Sequence, residues 1–288
     1  MRYAYYPGCS LGAGEREYDL SVRAVFARLG IELLELEDWN CCGAVHSDLN
    51  DRDVAITLPA RNLALAEAQG FETIVAPCSG CYKNLRRASK AVADDRSMRR
   101  KVNASLKGDL ALEGNVTVMH PLYVLRDEYG LKRIKAQVVR PLTELRVASY
   151  YGCMLTRPRD IFDSPERPTA LDELAAALGA QVVDYPLKAK CCGGALALSH
   201  APVTARLTGK VLVSAKEAGA DVISLACPMC HTALDGYQGK AESAMAQPID
   251  LPVLFFTQLM GLALGIAPAE LGLKRHIVPT DKVLTLVG

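Results

Sequence analysis

Ten cysteines are the strongest constraint on this 288-residue chain, because one spacing frame uses all of them in two copies. In the first, Cys9 is followed after 31 residues by Cys41-Cys42-Gly43, and 35 residues separate Cys42 from Cys78-Ser79-Gly80-Cys81. In the second, Cys153 is followed after 37 residues by Cys191-Cys192-Gly193, and 34 separate Cys192 from Cys227-Pro228-Met229-Cys230. Each frame holds five thiols. Disulfides consume cysteines in pairs and a structural zinc site takes four ligands, so five per site points to a cluster of several irons. Zinc and redox-active disulfides are the competing readings.

The elements around the two frames repeat as well. Tyr3 to Pro7 reads as a buried strand closed by Gly8-Cys9, and Glu15 to Leu29 carries Leu20, Val22, Val25, Phe26 and Leu29 at helical spacing, ending at Gly30. A strand from Ile31 to Leu36 leads to the double cysteine. A polar loop, Ser47 to Asp53, precedes a helix from Leu58 to Gln69 that ends at Gly70, and the strand Thr73 to Ala76 delivers Cys78. In the second copy, Val147 to Tyr151 leads to Gly152-Cys153, a helix from Ala170 to Leu178 ends at Gly179, and Val182-Val183 leads to the second double cysteine. A helix from Val203 to Ala218 ends at Gly219, and the strand Asp221 to Leu225 leads to Cys227.

Alternating strands and helices predict an α/β fold of two pseudo-symmetric, Rossmann-like parallel-sheet domains made by internal duplication, 1–145 and 146–288. The cysteines then stand at strand ends, where open α/β sheets place their sites. Val116 to Met119 reads as another strand, 131–146 as the connection between halves, Pro252 to Leu264 as a last strand and helix, and 265–288 as a tail closing against the other half.

Half the residues are hydrophobic and 23% charged, with a formal net charge of +1, which gives no general attraction to nucleic acid or acidic lipid. No glycine-rich phosphate loop occurs, which argues against a bound nucleotide. The N-terminal residues have no signal-peptide pattern, so a reducing, cytoplasmic setting is expected, in which thiols serve as metal ligands. Leu251 to Ala267 is apolar but broken by Pro252, Thr257, Gln258 and small residues, and no membrane span is expected. The basic run from Lys83 to Lys101 reads as one helix with a solvated face or as a docking surface for an acidic partner. Its first members, Lys83, Arg86 and Arg87, are also candidates to meet an anionic substrate.

The doubled pattern of one cysteine, Cys-Cys-Gly and Cys-x-x-Cys, starting at Tyr6-Pro7-Gly8-Cys9, resembles the CCG-domain family, and within it the catalytic B-type subunits of heterodisulfide reductases. The resemblance implies two noncubane 4Fe-4S clusters facing each other across the two halves, with a disulfide or thiol substrate cleaved reductively, or formed, between them. It implies that Cys9, Cys41, Cys42, Cys78 and Cys81 hold one cluster and Cys153, Cys191, Cys192, Cys227 and Cys230 the other. Electrons would come from a small iron-sulfur C-type subunit and ultimately from a flavin-containing A-type subunit.

A second reading is an electron-transfer or quinone-facing CCG subunit of a succinate, lactate or glycerol-phosphate type dehydrogenase complex, with the apolar segment after Leu251 as its membrane-contact element. Thiol exchange by a protein cysteine would need a thiol outside the two frames, and there is none. His46 and His231, close in sequence to cysteines, are candidate proton donors or second-sphere groups, and His120 is a third candidate. His200 and His276 read as structural, and Tyr82 as packing.

Overall fold

The computed structural model describes residues 1–44, 51–157 and 163–288, with Arg52 by its backbone only. His46 and most of the loop from Ser47 lie outside the described residues.

The first half supplies β1 (Arg2–Tyr5), α1 (Gly8–Gly12), α2 (Arg16–Arg28), β2 (Glu32–Glu35), α3 (Arg52–Ala68), β3 (Thr73–Val75), α4 (Ser79–Asp94), α5 (Arg96–Ser105) and β4 (Thr117–Met119). Its strands form one parallel sheet in the order β2-β1-β3-β4. After a connecting helix α6 (Leu131–Gln137), the second half supplies β5 (Arg146–Tyr150), α7 (Ala170–Ala177), β6 (Gln181–Val183), α8 (Ala201–Glu217), β7 (Val222–Leu225), α9 (Pro228–His231), α10 (Gln238–Met245), β8 (Val253–Phe255) and α11 (Phe256–Ala263), with α12 (Asp281–Val287) in the tail. Its sheet is again parallel and ordered β6-β5-β7-β8. One strand order used twice is the structural form of the duplication. Parallel strands require crossovers, so each sheet is covered by its own helices, and the central strands are largely buried: Tyr3, Ala4 and Tyr5 in β1, and all of β7 including Ser224.

Three elements depart from the sequence reading. Helix α3 starts six residues before Leu58, because the Asp51 carboxylate accepts the Asp53 and Val54 N–H groups and caps the helix there. The basic helix is two helices, broken at Asp95, whose carboxylate accepts from Ser97 and Met98 N–H and so starts α5 afresh. The break also splits the basic run. Lys83, Arg86 and Arg87 are half-buried along α4, with Arg87 donating to Ala55 O at 3.0 Å, while Arg96, Arg100 and Lys101 are exposed on α5.

The third departure concerns the apolar segment. Residues 253–264 form β8 and α11 and are buried throughout, so the membrane-contact element of the second reading is instead the core between the halves. Helix α2 of the first half lies on α11, with Ser21 Oγ and Thr257 Oγ1 2.7 Å apart. Among the described residues no helix is long and apolar enough to cross a membrane.

The tail does reach the other half. It comes so close to α2 at Gly272, which has φ +69°, that a Cβ there would stand 2.8 Å from Glu17 Cβ. Arg275 then pairs with Glu17 at 3.3 Å.

Candidate metal centre

The five cysteines of a frame arrive on three separate segments, and strand ends bring them together. Cys9 lies on α1, just beyond β1. Cys41 and Cys42 follow β2, and Cys78 and Cys81 open α4 beyond β3. A Cys-x-x-Cys at a helix start puts its two side chains on one side of the first turn, and the 2.8 Å bond from Tyr82 N to Cys78 O marks that turn. The second half repeats this at α9, where His231 N donates to Cys227 O at 2.9 Å.

Within the first set Cys42 Sγ and Cys81 Sγ are 3.2 Å apart, and in the second Cys192 Sγ and Cys230 Sγ are 3.6 Å apart. These are contacts, well beyond a disulfide bond of about 2.05 Å, and all ten cysteines are free. In each set three are buried (Cys42, Cys78 and Cys81; Cys192, Cys227 and Cys230). Cys9, Cys41 and Cys191 are exposed and Cys153 is half-buried, so each set has an open edge.

Sulfur lying on sulfur divides the protons unevenly. The Cys41 and Cys81 thiols next to Cys42 hold it down to about 4, and the thiol of Cys153 lowers Cys191 to about 6. Cys192 is lowered by Cys230. Backbone N–H groups point at two of the lowered sulfurs, Gly193 N to Cys191 Sγ at 3.4 Å and Gly194 N to Cys192 Sγ at 3.3 Å, while Gly43 N points at 3.4 Å to Cys41 Sγ, whose thiol is raised by Cys42 and keeps its proton. Cys42, Cys78, Cys191 and Cys192 are therefore the sulfurs placed to be thiolates, beside raised neighbours that hold the protons.

Glycine is required where the lone cysteine is launched. Gly8 and Gly152 have φ +72° and +63°, and a Cβ on either would stand 3.0 Å from Cys81 Sγ or 3.2 Å from Cys230 Sγ. The chain therefore passes beside sulfur only because no side chain intervenes.

The loops bearing the double cysteines are tied down by groups the sequence reading missed. Tyr6 OH donates to Asn40 O at 2.8 Å and Tyr150 OH to Lys190 O at 2.6 Å. Each tyrosine stands three residues before its lone cysteine, and each carbonyl just before its double cysteine; that repeated offset was the available signal. Burial, with the nearby sulfurs, keeps both phenols protonated and able to donate. The carbonyls of Cys42 and Cys192 accept from Asn84 Nδ2 (3.1 Å) and Thr208 Oγ1 (3.0 Å), and no sequence pattern announces that pair.

The two sets meet across the interface. Ser79 Oγ, in the first set's Cys-x-x-Cys, donates to Ala226 O at 2.9 Å, directly before Cys227. Tyr18 lies between, stacked on Phe255 at 4.0 Å, with its pKa raised by burial and then by Cys78 and Cys227. Tyr82 packs against His120 and Tyr123, as a packing residue would.

His231 is buried, and both ring nitrogens are engaged: Nδ1 lies 2.6 Å from Glu15 Oε2 and Nε2 3.0 Å from His276 Nδ1. Glu15, Glu17 and His276 are the partners that sequence reasoning missed. His276 continues to the Gln258 amide at 2.9 Å, so it belongs to this junction with the tail, while His200 is exposed.

The family model of the cysteine-rich domain CCG matches residues 3–86 and 147–235. The chain is 35% identical over 284 residues to the 8-methylmenaquinol:fumarate reductase membrane anchor subunit of Wolinella succinogenes, covering 98% of each. It is 31% identical to the B-type subunit of the ferredoxin/F(420)H(2)-dependent CoB-CoM heterodisulfide reductase of Methanosarcina acetivorans, over 99% of this chain and 97% of that one. An Archaeoglobus profundus protein described as like the B-type subunit of heterodisulfide reductase is 29% identical over the same shares. Among solved structures, a hypothetical protein from Helicobacter pylori shares the fold at TM-score 0.78 and 15% identity, over 96% of this chain and 52% of that one.

Proposed function

This chain belongs to the CCG family of cysteine-rich domains, and from that premise we propose that it is the catalytic subunit of a heterodisulfide reductase-like complex, cleaving a disulfide reductively between two noncubane iron-sulfur clusters. The observation that carries the reading is that the Cys78–Cys81 turn meets the backbone just before Cys227, with Ser79 Oγ donating to Ala226 O at 2.9 Å. The donor set fits such a group: five sulfurs per site, N–H groups aimed at sulfur, and glycine at the point of closest approach. When bound, the two clusters supply the two electrons that a disulfide needs to become two thiolates.

The chain's own residues do the rest. Cys9, Cys41, Cys42, Cys78 and Cys81 hold one cluster, and Cys153, Cys191, Cys192, Cys227 and Cys230 the other. Tyr6 and Tyr150 orient the two double-cysteine loops, and the buried face of each set keeps water off six of the ten sulfurs. His231, fully engaged by Glu15 and His276, supports the Cys230 turn. Electrons arrive from a small iron-sulfur C-type subunit fed by a flavin-containing A-type subunit, and the domains divide at 145/146.

The 35% identity to a quinol:fumarate reductase subunit favours a second reading, in which the same clusters relay electrons from a quinol. Anaerobically purified protein, assayed for iron and sulfide and by electron paramagnetic resonance with and without thiols, separates the two. About eight irons per chain and a signal that appears only with thiol support disulfide chemistry. Eight irons, a spectrum indifferent to thiols and reduction of the oxidised protein by a menaquinol analogue favour the relay. Bound zinc in place of iron overturns both.

A further inference from the structure

The pseudo-symmetry breaks at one position between the two sites. β3 pairs with β4 so that Val75 faces Met119, and β7 with β8 so that Ser224 faces Leu254. In both pairs the first strand reaches its Cys-x-x-Cys three residues later. The residue after each facing partner is therefore equivalent, and in both halves it stands at the start of the following helix: His120 in the first, whose side chain caps it, and Phe255 in the second, whose side chain does not. One is an imidazole and the other a phenyl ring.

His120 is fully buried, packed among Tyr82, Tyr123 and Phe256. Its Nδ1 accepts the Leu122 N–H at 3.2 Å, which leaves the ring proton on Nε2. Nε2 lies 2.7 Å from Pro77 O and 3.3 Å from Ala226 O. These carbonyls belong to the residues immediately before Cys78 and Cys227, one in each half. Burial lowers this histidine to about 4, so it is a neutral donor at ordinary pH. Ala226 O also takes Ser79 Oγ at 2.9 Å and Tyr18 OH at 3.4 Å, so three donors from the first half converge on one carbonyl of the second. Phe255, with no donor to offer, stacks on Tyr18 instead.

We propose that His120 is a positioning residue: its Nε2–H bridges the backbones that carry Cys78 and Cys227 and so fixes the spacing between the two cysteine sites. The functional consequence rests on the disulfide reading, since two sulfurs of one substrate bond can be met at once only if that spacing is held. The bridge itself exists without metal.

Two substitutions separate the bridge from the helix cap. His120→Asn keeps a side-chain acceptor for Leu122 N–H but is too short to reach either carbonyl. His120→Gln reaches them but caps poorly. Hydrogen exchange of the iron-free protein is the first readout. His120→Asn should raise exchange about tenfold in both 73–82 and 222–230, and His120→Gln should restore both. A rise confined to 120–125, or to one half, would mean that the histidine is only a local cap and would overturn the assignment.

Ser79→Ala leaves the ring in place and guards against a variant that does not fold. It should raise exchange about threefold at 222–230 and leave 73–82 as it was; an equal rise in both segments counts against the bridge. In iron-loaded protein, His120→Asn should retain its iron but lose the spin–spin coupling between the sites and, with it, ten- to a hundredfold of disulfide reduction. Absence of iron or of disulfide activity in the parent protein defeats the functional reading alone, because the exchange result is read without either.

Discussion

Alanine at Gly8 tests the claim that glycine lets the chain pass beside sulfur. Two costs add. A non-glycine residue at φ +72° costs about 1–2 kcal/mol. The new Cβ would stand 3.0 Å from Cys81 Sγ and 3.3 Å from Tyr6 Cε1, and overpacking of that kind costs about 1–3 kcal/mol. The sum, about 2–5 kcal/mol, is a large part of an ordinary domain's stability of about 5–15 kcal/mol. Gly152→Ala meets the same backbone cost but looser contacts, 3.2 Å to Cys230 Sγ and 3.4 Å to Tyr150 Cε1, so its cost falls at the lower end. The assay is urea unfolding of the iron-free protein together with iron analysis of the loaded protein. Gly8→Ala should lower the midpoint more than Gly152→Ala does, and each should cost the iron of its own half, taking about eight irons to about four. Full iron in both variants with midpoints unchanged would falsify the argument, because neither the backbone nor the sulfur contact would then need glycine.

Three further outcomes are expected. Burial raises Glu17 to about 7, with Glu15 adding to the rise, so its neutral form favours the fold and stability is lost as pH climbs from about 4.5 through 7. Arg275 and His231 favour the charged form and offset part of this, leaving about 1–2 kcal/mol between pH 5 and pH 8; Glu17→Gln should flatten that slope in urea titrations at the two pH values, and an unaltered slope rejects it. Tyr6→Phe should cost about 1 kcal/mol, since Asn62 Nδ2 still serves Asn40 O at 3.0 Å, and Tyr150→Phe about 2 kcal/mol, since its hydroxyl is the side-chain donor to Lys190 O; equal losses in denaturant titration would discount the asymmetry. Gly272→Ala, with its Cβ 2.9 Å from Glu17 Cα at φ +69°, should free the tail from α2 and speed limited proteolysis after residue 265, whereas a parental digestion rate would show that the contact yields.

Much of the architecture was legible because it depends on local pattern. Gly30, Gly70, Gly179 and Gly219 end helices at positive φ where the sequence placed them, since only glycine takes that conformation cheaply. The strands before Cys9, Cys78, Cys153 and Cys227 are short apolar runs, and the repeat of the frame foretold two sheets of one strand order. Helix starts were less legible. Asp51 and Asp95 cap helices through side-chain bonds, and an aspartate in a polar stretch reads equally well as loop or solvated surface.

The sequence alone determined that ten thiols fall into two equivalent sets on parallel α/β units, because spacing and strand period are properties of the chain. It could not say how the two units face each other. Folding alone decided that β8 and α11 are the wall between the halves rather than a surface for lipid, that His231 joins Glu15 across 216 positions of sequence, and that His120 reaches carbonyls 43 and 106 positions away. Those contacts join residues with no periodic relation, and their hydrogen bonds form only where packing has excluded water and left each buried polar atom to find its partner.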